Sequence, residues 1–155
     1  MTHALNLVLP VKQDPETMAK LKELAGRFES EIQPKIEEAL RKSHLVHFAR
    51  LLAIGTSYVC VFTEYEGDHQ EYTEFFRREL APVFAAIFAL ADGAPSADDP
   101  AGFWDYARKH NVRSLGKSTS GSTTFDGGPA GWLFSAYDGR DVVTIQKALG
   151  MPTTD

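Results

Sequence analysis

Residues 4–12, ALNLVLPVK, alternate, with Leu5, Leu7, Leu9 and Val11 on one side and Asn6, Val8 and Pro10 on the other, the two-residue period of a strand. Asp14 then offers an N-cap with Pro15 at the first helical position, and Met18, Leu21, Leu24, Ala25, Phe28 and Ile32 follow at helical spacing. Pro34 is expected to kink or break that helix, leaving Ile36 to Lys42 as a second piece. Leu45–Ala53 and Ser57–Tyr65 read as two strands joined by a tight turn around Gly55. Asp68 caps the next helix with Glu71 three residues on, and Pro82 divides it into one piece to about Glu79 and a very apolar piece from Pro82 to Leu90. Asp99 and Pro100 open a short helix, FWDYARKH, while Trp132–Tyr137 reads as a further strand. Asp141 caps a closing helix with Val142, Ile145 and Leu149 inward. Residues 114–131 are rich in Gly, Ser and Thr and show no period, so they are expected to form a flexible loop, either disordered or a binding lid.

The predicted order is β-α-β-β-α-β with extra helices on either side of the fourth strand. That is an α+β, ferredoxin-like arrangement: an antiparallel four-stranded sheet with helices on one face. The segment Tyr58-Val59-Cys60-Val61-Phe62 is apolar at both parities, so both faces of the sheet need cover. Helices supply one cover, and a second copy of the chain packed sheet to sheet supplies the other, which predicts a homodimer.

Val46-His47-Phe48-Ala49-Arg50, an apolar strand ending in Glu64-Tyr65-Glu66-Gly67-Asp68, Tyr72 in the following helix, and Phe134-Ser135-Ala136-Tyr137 with Gly139-Arg140 carry a resemblance. The chain resembles the dimeric α/β-barrel superfamily of ferredoxin-like proteins, and within it the small bacterial domains that stand alone or accompany peroxidases and have no assigned function. The resemblance covers residues 4–76 well and 131–149 moderately. It implies a ligand-sized cavity beside the sheet and, among the relatives, oxidoreductase or monooxygenase-like chemistry, in some cases with haem. It does not select one reaction.

The 155 residues, 43% hydrophobic and 24% charged, fit one domain over 1–155. A net charge of −5 removes the electrostatic footprint of a nucleic-acid binder and argues against docking on anionic lipid. No apolar run approaches the ~20 residues of a membrane span. The single cysteine, Cys60, excludes an internal disulfide and a cysteine-built metal site, and a cytoplasmic setting is expected. The five histidines show no HxxxH or HExxH spacing, so no metal site is predicted. Haem would need an axial ligand, and His110 at the end of FWDYARKH is the one helical histidine placed for it, but the helix motif of the haem-binding relatives does not align here, so no cofactor is expected. Gly116-Lys117-Ser118 imitates the end of a P-loop, but Asn111 stands where its first glycine belongs.

A two-residue turn, Gly55-Thr56, would set His47 opposite Glu64, Ala49 opposite Phe62 and Ala53 opposite Tyr58. One face would then carry a His47–Glu64 pair, a candidate general base or proton shuttle, beside an aromatic floor of Tyr58 and Phe62 suited to an apolar or aromatic ligand. The plainer reading is a histidine held by a glutamate for packing alone. Arg50 falls on the opposite parity, either as an anchor for an acidic ligand or as half of an ion pair. Two functions stay open at this stage. One is a cavity binder of a small apolar or aromatic molecule; the other is a non-enzymatic dimerisation or accessory domain serving a peroxidase-like partner.

Overall fold

The structure is a computed structural model that describes residues 1–96, 98–118, 121–124 and 127–154. It is a mixed α+β fold built on a three-stranded antiparallel sheet of order β1-β3-β2, with β1 Thr2–Pro10, β2 Val46–Ile54 and β3 Tyr58–Glu66. The alternation in the first strand does what its period requires. Leu5, Leu7 and Leu9 are buried against the helices and Asn6 and Val8 turn to the other face.

Helix α1 (Pro15–Arg27) starts where expected, with the Asp14 carboxylate accepting from the Thr17 N–H at 3.0 Å. The kink predicted at Pro34 is a π-helical turn over Phe28–Ile32, after which α2 runs from Gln33 to Ser43. Proline has no N–H to give to the carbonyl four residues back and its ring crowds that carbonyl, and one wider turn ahead of it relieves both problems. Helices α3 (His69–Glu79) and α4 (Ala81–Leu90) meet at Leu80, which leaves helical geometry because Pro82 cannot continue α3. Asp68 caps α3 through the Gln70 and Glu71 N–H groups at 2.9 Å each. Helix α5 (Pro100–His110) lies against β1, and its Phe103 ring stacks on Phe88 of α4 at 4.8 Å. The short α6 (Val142–Ala148) closes the chain.

The predicted fourth strand does not form. Trp132–Tyr137 has no strand partner among the described residues, because the outer edge of β1 is already taken by the segment after α5. There the Asn6 N–H donates to Asn111 Oδ1 at 2.9 Å and the Val112 N–H donates to the Asn6 carbonyl at 2.8 Å. Residues 130–132 run beside 114–115 instead, with Ser114 N–H on the Ala130 carbonyl and Trp132 N–H on the Leu115 carbonyl. Gly131 makes that approach possible, since a Cβ there would lie 2.1 Å from the Ser114 carbonyl oxygen and its φ is +88°.

The 114–131 stretch is also less detached than its composition suggested. Thr119, Ser120, Phe125 and Asp126 lie outside the described residues. Of the rest, Ser122, Ala130 and Gly131 are buried, and Ser122 Oγ donates to the Thr2 carbonyl. Hydroxyl side chains bury nothing apolar, but they satisfy an exposed strand edge.

Candidate ligand cavity and the open sheet face

The turn between β2 and β3 has three residues, Gly55 to Ser57, not two. Gly55 takes the left-handed conformation at φ +55° and the Ser57 N–H closes the turn on the Ile54 carbonyl at 3.1 Å. The extra residue shifts the register, so Arg50 faces Phe62, Leu52 faces Cys60 and Phe48 faces Glu64. A bulge at His47 then restores the offset, and Val46 faces Tyr65.

The predicted His47–Glu64 pairing is therefore corrected. His47 Nε2 lies 3.1 Å from Glu66 Oε2 and 3.3 Å from Thr2 Oγ1, in a nearly buried pocket at the end of the sheet. The Glu66 carboxylate also accepts the Val142 N–H at 3.1 and 3.2 Å, so it holds the start of α6 as well as the histidine. Glu64 sits two residues back on the same face. Burial pushes its carboxyl up, against the pull of Arg50 and His47. The opposite parity expected for Arg50 is corrected too, because its guanidinium stands 5.5 Å over the Phe62 ring. His47, Glu64, Arg50, Tyr58 and Phe62 thus share the sheet face turned away from α1 to α4.

The cavity is on the other face. Between the sheet, the π-turn and helices α2 to α5 lies a space of about 300 Å³. Its floor is Leu5, Leu7, Leu51, Val61 and Thr63, and its roof includes Phe28, Ile36, Tyr72, Phe76 and Ile87. Gln33 and Glu37 of α2 and Ala49 and Arg50 of β2 are its exposed lining residues, so it opens to solvent between α2 and the edge strand. The volume is at the small end of the range for ligand sites.

Among the polar lining residues Thr73 is bonded to the His69 carbonyl and Gln33, Glu37 and Arg50 are exposed, while Thr63 and Tyr72 form a buried pair. The Tyr72 phenol donates to Thr63 Oγ1 at 2.8 Å, and both residues are buried. Tyr72 is fixed from behind by the Tyr65 ring, stacked nearly parallel at 3.7 Å. Burial pushes the Tyr72 phenol up, so it keeps its proton. Arg50 borders the cavity, but its charge is on the far face over Phe62, so the wall presents no cation to an acidic ligand.

Comparison with protein-family models, with curated proteins and with solved structures returns no match. Among the described residues no group of three or more His, Cys, Asp or Glu could hold a metal ion. The residues do not fit a haem either: the His110 ring packs on Tyr106 at 4.2 Å and is not part of the cavity wall. No helix among the described residues is long and apolar enough to cross a membrane.

A second polar cluster joins β1, β3 and α3. The Tyr65 phenol, held protonated by burial, donates to His69 Nδ1, which leaves His69 Nε2–H to donate to Thr123 Oγ1 at 3.0 Å. His3 lies 4.3 Å from the His69 ring, ring centre to ring centre, and its Nδ1 accepts the Thr123 N–H at 3.3 Å. Sequence reasoning missed this cluster and the Thr63–Tyr72 pair. A signal for the pair was present: Thr63 is a hydroxyl-bearing residue between Val61 and Tyr65 on the helix-facing parity of β3, and a hydroxyl there needs a partner inside the core.

Proposed function

We propose that this chain binds a small, largely apolar or aromatic molecule in the cavity between the sheet and its helices, on a ferredoxin-like scaffold of the dimeric α/β-barrel kind. The observation that carries the reading is the cavity itself, about 300 Å³ of apolar-walled space with a mouth between α2 and β2. A close-packed interior has few voids larger than a water molecule, so space of this size in a small domain calls for an occupant. Monooxygenase-like proton transfer by His47 and Glu64 draws no support from this geometry, because both residues are across the sheet from the cavity and His47 is engaged by Glu66 and Thr2. Binding is the function that the wall favours.

The test is thermal unfolding of the whole chain against a panel of small aromatic molecules, with Val61→Phe as the variant that fills the cavity. A binder raises the melting temperature with the logarithm of ligand concentration once that exceeds the dissociation constant, and Val61→Phe removes that rise. No rise for any panel member at millimolar concentration overturns the reading.

One observation favours the second reading, a domain that works by association. The open face presents Phe48 at 69% exposure, Ile54 at 49% and Tyr58 at 41%, the kind of apolar surface that a second copy of this chain would cover.

A further inference from the structure

We propose that the cavity selects a neutral, otherwise apolar molecule with a single hydrogen-bond acceptor, an aryl ketone in class, and that Thr63 reads that acceptor while Tyr72 holds Thr63 in position. This rests on the cavity reading above and narrows it. The Tyr72 phenol donates to Thr63 Oγ1, and among the described residues nothing accepts the proton of the Thr63 hydroxyl in return. A hydroxyl has one donor and two lone pairs, and here one lone pair is used. A buried donor without an acceptor is less tolerable than an unused second lone pair. The group that completes this site is therefore an acceptor, presented from inside the cavity.

The rest of the wall determines what may accompany that acceptor. Around Thr63, Val61, Leu51, Phe76 and Ile87 offer only apolar surface, the Thr73 hydroxyl is already given to the His69 carbonyl and Gln33 stands at the exposed mouth, so further polar groups on the buried part of the ligand would lose water without replacement. An anion is excluded by the same reasoning. The Arg50 guanidinium is occupied over Phe62 on the other face and the Glu37 carboxylate at the mouth is paired with Arg41 at 3.5 Å, so a buried anion would find no cation turned into the cavity. A carbonyl oxygen matches a lone donor in apolar surroundings; a carboxylate does not.

The experiment uses three probes of one shape, naphthalene, 2-acetylnaphthalene and 2-naphthoate, titrated calorimetrically into the full chain. The ketone is expected to bind roughly 3–10-fold more tightly than the hydrocarbon, the ratio that one neutral hydrogen bond supplies, and the carboxylate most weakly. Thr63→Val should erase the ketone's advantage and leave naphthalene binding unchanged, while Thr63→Ser should retain the advantage. Because Thr63→Val strands the Tyr72 hydroxyl and can impair folding, the double variant Thr63→Val/Tyr72→Phe, which removes both partners, repeats the measurement. Equal binding of ketone and hydrocarbon, or tightest binding of the carboxylate, overturns this inference and leaves the cavity reading standing. Absence of binding by all three probes, or binding that Val61→Phe does not disturb, overturns the cavity reading and this inference with it.

Discussion

His47 Nε2 lies 3.1 Å from Glu66 Oε2, and the same carboxylate accepts the Val142 N–H, so one buried acid ties the bulge of β2 to the start of α6. Removing one member of such a group leaves the others without a partner. Glu66→Ala should lower stability by about 3 kcal/mol or more, and Glu64→Gln by about 1 kcal/mol or less. Urea unfolding of the two variants compares them directly, and equal losses would mean that Glu66 is not the partner that matters.

Acid should destabilise this protein through His3. Burial and the neighbouring His69 lower its pKa from 6.5 to about 4 in the folded state. Between those two values the unfolded chain binds a proton that the folded chain refuses, so stability is full above about pH 6.5 and is lost as pH falls toward about 4. Burial lowers His69 in the same direction. Denaturation curves at pH 7, 6, 5 and 4 should show the decline, and His3→Asn should flatten it.

The centre of β3 is apolar on both faces. Val61 lines the cavity on the helix side and Cys60, fully buried, lies on the other face. Cys60→Asp and Val61→Asp should each cost about 3 kcal/mol or more, since each replaces a packed apolar side chain with a carboxylate among apolar neighbours. Near-native stability in either variant would mean that its face is solvated.

The stretch after residue 116 should not be freely removable. Ser122 anchors on the Thr2 carbonyl, and Thr123 engages both His3 and His69. Ser122→Ala and Thr123→Ala should each cost about 1–2 kcal/mol by leaving buried groups without partners. Deletion of residues 117–128 without loss of stability would contradict those contacts.

Association through the open face predicts a particle of about twice 17.1 kDa in sedimentation at micromolar concentration. Phe48→Glu should return it to the monomer mass with little change in the protomer's own stability, because Phe48 is 69% exposed in the single chain. A wild-type monomer at that concentration would dismiss the association reading.

The local elements were legible because their causes are local. The alternation of Leu5, Leu7 and Leu9, the Asp caps at 14, 68, 99 and 141, and the prolines at 34 and 82 each act within a few residues, and each did what its chemistry requires. Register was not legible to the same degree. Phe48, Arg50 and Leu52 share a face with Phe62 because one more residue stands in the turn, and His47 rejoins that face through a bulge that no periodicity announces. The fourth strand failed for a reason outside its own residues: Trp132–Tyr137 has strand-like composition, but the β1 edge it needed was taken by the Asn111–Ser114 segment. The cavity is likewise a product of tertiary structure. Its volume is what remains when the π-turn, α2, α3 and α4 pack against the floor of β1 and β3, and that remainder depends on distances between elements far apart in the chain. Sequence determines which surfaces must be covered; the packed structure alone decides which partner covers them and where space is left.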